Sequence, residues 1–158
     1  MIEKRPKNFV QARRMARQRV LQALYQWQLT AQDVHTIEDQ FLSEQNIHNV
    51  QKMDTDHFQT LLRGILQHTQ PVDMAFAPFL DREIIRLDPI ELATLRIGCY
   101  ELLYCPDVPW RTAINEAVDL AKMFGATESH KYVNGILDKV AHNRQKTVGS
   151  WQHLNNPH

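Results

Sequence analysis

The chain has 158 residues, no formal net charge, 43% hydrophobic and 23% charged content, and only five glycines. A chain of this length buries roughly 68–70% of its unfolded surface, enough for one independent domain. The balance is that of a soluble globular protein, no stretch approaches the ~20 apolar residues of a membrane span, and no apolar segment backs the basic N-terminus as a secretory signal requires.

Val, Ile and Thr form no alternating runs, and with so few glycines this argues against a β-rich fold. The expectation is all-α, with about seven helices in two subdomains packed around a central apolar helix. Asn8 followed by Gln11 resembles a capping box, so a first helix is expected to run to about Leu29. Thr36 and Asp39 open a second, through about Gln45. A third starts near Asp54 and carries Phe58, Leu61, Leu62, Ile65 and Leu66 at helical spacing. Pro71 marks the first turn of a short fourth helix with Met74, Phe76, Phe79 and Leu80. Asp88-Pro89-Ile90-Glu91 combines an N-cap, a first-turn proline and a capping-box glutamate, the strongest start signal in the chain. That fifth helix runs to about Cys105, where Pro106 stops it. A sixth spans about Arg111 to Phe124, with Gly125 suited to its C-cap. Thr127 caps a seventh, which carries Val133, Ile136, Leu137 and Val140.

These elements divide the single domain, residues 1–158, into a basic arm (1–8), an N-terminal helical subdomain (9–70), a C-terminal one (71–142) and a loose tail (143–158) that includes Trp151. Cys99 and Cys105 both fall in the fifth helix and read as small buried hydrophobes in a reducing cytoplasm.

The neutral total hides an asymmetry. Residues 1–19 hold seven basic groups against one acidic, +6, and the other 139 residues hold 11 against 17, −6. A basic arm for a polyanion on an acidic body is the implied layout. At 100° per residue, Val20, Leu24 and Trp27 of the first helix form an apolar stripe, and Arg13 and Arg17 lie on it one and two turns earlier. An unpaired buried arginine is prohibitively costly, so these first turns either overhang the core or meet acidic partners. Arg14 lies to one side in a column with Gln18 and Tyr25. Arg19 sits opposite with Gln22 and Gln26. Two readings stand together. One is a solvated basic helix end, or arginines paired with the acidic body. The other is a phosphate-binding edge, in which the arginine fork grips phosphate and Tyr25 stacks an unpaired base. With Lys4, Arg5 and Lys7 in the arm, that edge suits single-stranded RNA better than a duplex groove.

The fifth helix is apolar almost all round: Ile90, Leu92, Leu95, Ile97, Leu102 and Leu103. One stripe escapes, with Glu91, Thr94, Gly98 and Glu101. It is either the helix's solvated edge or an acidic strip for a basic protein partner. Gly64, Gly98 and Gly135 lie inside helices, where each costs roughly 1 kcal/mol against alanine. Close helix approach is the ordinary reason. Gly135, however, shares a non-core face with Glu128, Tyr132 and Lys139, where a ligand backbone could approach.

No catalytic set emerges. Ser43, Ser129 and Ser150 lie in no nucleophile-elbow context, the eight histidines make no i,i+4 ligand pair, and no GxxxxGK occurs. The expectation is a non-enzyme with no cofactor and no metal.

The segments "RVLQALYQWQL", "LRIGCYELLY", "DVPWRTAINEAVDLAKMFGA" and "ESHKYVNGILDKVA" together resemble the NusB family of transcription antitermination factors, from about Arg13 to Ala141 in order and spacing. The pattern Ile114-Asn115-Glu116-Ala117, Ala121-Lys122, Phe124-Gly125, Val133-Asn134-Gly135 is long and specific. The resemblance implies an all-helical fold of two subdomains and binding to the boxA element of ribosomal RNA leaders. It also implies a heterodimer with the small ribosomal protein NusE, loaded onto RNA polymerase with other Nus factors in a bacterial cytoplasm. Some relatives self-associate, so a homodimer is among the expected partners; a membrane is not. By the resemblance the arginine-rich helix start falls on Arg13, Arg14 and Arg17, with Met15 interrupting, and the family tyrosine on Tyr25. Glu91 matches the acidic residue that opens the central helix. It is assigned to the protein partner together with Thr94, Glu101 and Glu128. Lys122, Lys131 and Tyr132 are placed on the RNA side with Lys4, Arg5, Lys7 and Gln18. The alternatives are a helical protein-interaction scaffold, or a stand-alone relative of the accessory domain of ribosomal RNA cytosine methyltransferases.

Overall fold

A computed structural model describes the backbone of residues 8–48 and 52–155, and the side chains of residues 8–44 and 52–144. Those residues form seven α-helices and two short 3-10 turns, with no strand among them. The chain divides into two compact units, Met1–Gln67 and His68–His158.

The first unit holds α1 (Phe9–Thr30), α2 (Val34–His48) and α3 (Thr55–Gln67), each packed on the other two. The apolar stripe of α1 is buried at Ala16, Val20, Leu21, Ala23 and Leu24; Ile37 and Phe41 of α2 and Phe58, Leu61, Leu62 and Ile65 of α3 are buried as well. The rings of Phe41 and Phe58 meet at 6.1 Å. The expected capping box at Asn8 does not form: its side chain makes no cap hydrogen bond. At the other end α1 closes through Ala31 in the left-handed region (φ 54), its N–H donating to the Trp27 carbonyl at 2.8 Å. No glycine marks this turn, and so the sequence carried no stop signal there.

The second unit holds α4 (Thr69–Phe76), 3-10 turns at Ala77–Phe79 and Ile84–Arg86, α5 (Pro89–Tyr104), α6 (Trp110–Phe124) and α7 (Ser129–Asn155). Within it α5 packs against α4, α6 and α7. Every residue from Ala93 to Leu102 is buried, including Thr94, Gly98 and Glu101 of the stripe expected to escape. The start signal at Asp88 is real: its Oδ1 accepts from the N–H of Ile90 at 2.8 Å and of Glu91 at 3.3 Å. Arg96 on α5 grips Asp73 on α4 with two parallel bonds of 2.9 and 2.8 Å, the bidentate form that satisfies a buried guanidinium. Cys99 and Cys105 are buried thiols, not joined in a disulfide. Burial, with Asp73 nearby, pushes the Cys99 thiol up to about 12.

Gly98 is explained by packing, since a Cβ there would stand 2.5 Å from Leu137 Cδ1 and 3.1 Å from Ala117 Cβ. Gly125 caps α6, but with extended backbone (φ −89); its missing Cβ would meet the Ala121 carbonyl oxygen at 2.7 Å. Two boundaries differ from expectation. Helix α7 starts at Ser129, because Glu128 takes a left-handed φ of 75, so Thr127 is not its cap. It then continues to Asn155 where a loose tail was expected. Gly149 and Ser150 weaken a helix without breaking it, and the one residue that cannot continue it, Pro157, comes later. No described helix is long and apolar enough to cross a membrane.

Candidate nucleic-acid interface

Lys4, Arg5 and Lys7 lie outside the described residues. The expected site residues therefore begin on the second turn of α1, and the helix places its arginines unequally. Arg17 is buried at 4% exposure. Arg13 is half-buried; its Nε lies 3.5 Å from Asp54 Oδ2, and its guanidinium sits 4.8 Å over the Phe9 ring. Asp54 is well placed for this. Its other oxygen caps α3 by accepting the His57 N–H at 3.0 Å, and its own N–H donates to the Ala12 carbonyl at 2.9 Å. One aspartate thus ties the start of α3 to α1 and meets an arginine that points along the core stripe. Of the two outcomes open for that stripe, Arg13 takes the acidic partner. Arg19 turns away, donating to Gln22 Oε1 at 3.1 Å.

The column beside the stripe is different. Arg14 is exposed, Gln18 half-buried and Tyr25 39% exposed. These three share one flank of α1, and Arg14 and Tyr25 are its exposed members.

In the second unit Lys122 is exposed on the last turn of α6. Lys131 is exposed and lies 2.6 Å from Glu128 Oε2. Tyr132 is half-buried, and its O–H donates to Asp81 Oδ1 at 2.7 Å while the Asp81 N–H donates back to the phenol oxygen at 3.4 Å. Arg82 completes the group: Nε and Nη2 donate to the two Asp81 oxygens at 2.8 and 3.1 Å, and the guanidinium stands 5.3 Å from the Tyr132 ring centroid. The Arg82 bond, then the Tyr132 bond, hold the Asp81 carboxyl down at about 2, and the same pairing raises the Arg82 guanidinium. Desolvation and the bond to Asp81 raise the Tyr132 phenol. Sequence reasoning found Tyr132 and missed Asp81 and Arg82, which reach it from a turn that lies 51 residues away at Asp81. No periodicity encodes that meeting.

The protein-partner strip on α5 is corrected. Thr94 is fully buried, its O–H donating to the Ile90 carbonyl at 2.8 Å, and Glu101 is 1% exposed. Gly98, between them, lets Leu137 of α7 and Ala117 of α6 close over this flank. The stripe is therefore a helix-packing seam and not a solvated edge. Glu91, at its outer end, is half-buried and accepts the Ser129 hydroxyl at 2.7 Å. Glu128 is exposed. Among the described residues no three metal-ligating side chains converge.

The comparisons with known proteins agree with one another. The NusB family model matches residues 14–142. A transcription antitermination protein NusB from Idiomarina loihiensis is 53% identical over 129 residues, covering 82% of this chain and 91% of that one. One from Actinobacillus succinogenes is 50% identical over 135 residues, covering 85% and 93%. Among solved structures, T. maritima NusB superposes with a TM-score of 0.72 at 31% identity, covering 89% of this chain and 93% of that chain. A structure of antitermination factors NusB and NusE in complex with double-stranded RNA matches with a TM-score of 0.72 at 24% identity, over 84% and 98%, a likeness of fold. With its family model covering most of the chain and relatives at half identity over more than four-fifths of it, the protein belongs to the NusB family.

Proposed function

We propose that this chain is a non-catalytic, RNA-binding antitermination factor of the bacterial cytoplasm. It binds the single-stranded boxA element of ribosomal RNA leaders, pairs with the ribosomal protein NusE, and joins RNA polymerase with other Nus factors. The observation that carries the reading is the exposed flank of α1, where Arg14, Gln18 and Tyr25 stand in one column on a chain of this family. Arginine supplies a fork for phosphate, and the tyrosine supplies a face on which an unpaired base stacks. The charged end of Arg13 faces Asp54 and Arg17 is inside, so the column, helped by Lys4, Arg5 and Lys7, does the contacting. In the second unit Lys122, Lys131 and Tyr132 are the residues proposed for RNA. Glu91, half-buried against Ser129, and Glu128 remain the residues proposed for the protein partner.

The experiment is a titration of labelled leader RNA, single-stranded and duplex, with and without the ribosomal partner at two salt concentrations. Affinity for the single strand is expected to fall log-linearly with salt, by about −0.7 per phosphate contacted, and to rise when the partner is added. Equal affinity for duplex and single strand, or no gain from the partner, would contradict the reading.

A further inference from the structure

The head of α7 is built around a strained residue. Glu128 takes a left-handed φ of 75, a conformation in which L side chains are uncommon, and such a residue persists where its surroundings hold it. Ser129, the first residue of α7, supplies that hold. Its N–H donates to the Ala126 carbonyl at 3.0 Å. Its side chain is buried beside Gly125, where a Cβ would stand 3.2 Å from both the Cβ and the Oγ of Ser129. Its hydroxyl donates to Glu91 Oε2 at 2.7 Å, across 38 residues of chain.

That last bond joins residues proposed for two different partners. Glu91, in the first turn of α5, belongs to the protein side. Just after Ser129, α7 carries Lys131 and Tyr132 of the RNA side. Lys131 reaches back to Glu128 at 2.6 Å, and Tyr132 is held by Asp81, which also binds Arg82. Glu91 acts on Arg82 as well, adding to the attraction that raises its guanidinium. A change at Glu91 therefore reaches the residues around Tyr132 by two routes, one through the Ser129 hydroxyl and one through the Arg82 charge.

We propose that Ser129 is a positioning residue that couples binding of the protein partner to binding of RNA. Its hydroxyl fixes one Glu91 oxygen and so presents the carboxylate in a single orientation. A basic partner group that takes up Glu91 stiffens the head of α7, and Lys131 and Tyr132 then meet RNA already ordered. Less ordering at the second binding step is a gain in affinity. The coupling is reciprocal, so RNA strengthens the partner by the same factor by which the partner strengthens RNA. The proposal rests on the reading above and adds Ser129 to it, with Gly125 as the residue that makes room for the serine.

The test measures the affinity of the full chain for labelled single-stranded leader RNA, alone and with the ribosomal partner at saturation. The readout is the ratio of the two affinities, because a change that only destabilises the fold lowers both and leaves the ratio alone. Ser129→Ala keeps the Cβ that packs beside Gly125 and removes the hydroxyl. It is expected to leave affinity without the partner within about twofold of wild type and to cut the partner's gain by about fivefold or more. Glu91→Ala is expected to cut the same gain, and Ser129→Ala added to it to cut no further, since one residue acts through the other. Losses that add in the double variant would overturn the proposal. So would a Ser129→Ala chain that keeps the wild-type gain, or one that loses RNA equally in both arms; the broader reading survives either result. If the wild type itself gains nothing from the partner, both fall.

Discussion

Helices α1 and α7 both carry cations and an aromatic on faces proposed for RNA, yet they hold them in opposite ways. On α1 the core stripe runs through the arginines. The fold answers by burying Arg17 and setting Arg13 against Asp54, while Arg14 and Tyr25 on the neighbouring flank stay exposed. On α7 the core stripe of Val133, Ile136, Leu137 and Val140 is free of charge, and the ionic group lies outside it. There an exposed carboxylate, Asp81, does not neutralise a core arginine but braces a surface one against Tyr132. The same pair of residue types serves stability in one unit and presentation in the other. What decides between them is where the arginine sits: Arg13 lies on a helix face that must be buried, whereas Arg82 lies on an exposed turn.

Four changes test that contrast, in falling order of effect. Gly98→Ala attacks the seam that seats α7: with Leu137 Cδ1 at 2.5 Å from the new methyl, it should destabilise the fold by about 1–3 kcal/mol in denaturant unfolding. Asp54→Ala removes the cap of α3 and the carboxylate facing Arg13, and should cost about 1–2 kcal/mol by the same measurement. Asp81→Ala, by contrast, touches only exposed bonds and should leave the denaturant unfolding midpoint close to that of the wild type. A loss as large as that of Asp54→Ala would erase the distinction between the two aspartates.

The smallest effect is one of pH. The Asp81 carboxyl titrates at about 2, below its ordinary 3.8, chiefly because Arg82 donates to its ionised form. A depressed acid adds stability above its unfolded value and loses it as pH falls through the folded one. The clamp on Tyr132 should therefore persist unchanged from neutrality to about pH 4 and open only toward pH 2. Carboxyl-carbon NMR of Asp81 should show this, with the midpoint returning toward 3.8 in Arg82→Gln. An Asp81 midpoint near 3.8 in the wild type would mean the clamp does not form in solution.

Much of the fold was legible because its signals are local. The Asp88-Pro89 start, the Pro106 stop, and the apolar spacing of Phe58 to Ile65 each concern neighbours within one or two turns. Failures fell where a distant element decides or where a helix end departs from its residue type. Glu101 looks like a surface residue on a helical wheel, and only the closeness of α6 and α7 at Gly98 makes its flank interior. Asn8 has the type and spacing of a cap without making the bond, and Ala31 ends α1 in a conformation its type does not advertise. For the interface, the column Arg14–Gln18–Tyr25 followed from the period of one helix. The spacing marks a helix start near Asp54, but the meeting of Asp54 with Arg13 follows only from α3 beginning beside α1. The meeting of Asp81 and Arg82 with Tyr132 joins a turn to a helix and has no signature in spacing at all.

The sharpest discriminator is the affinity of the double variant Arg14→Glu, Tyr25→Ala for single-stranded leader RNA, measured beside its unfolding midpoint. Both side chains are exposed, so the midpoint should stay within about 2 °C of wild type while affinity drops by about tenfold or more. Full affinity in a folded double variant would contradict the assignment of the α1 flank to RNA.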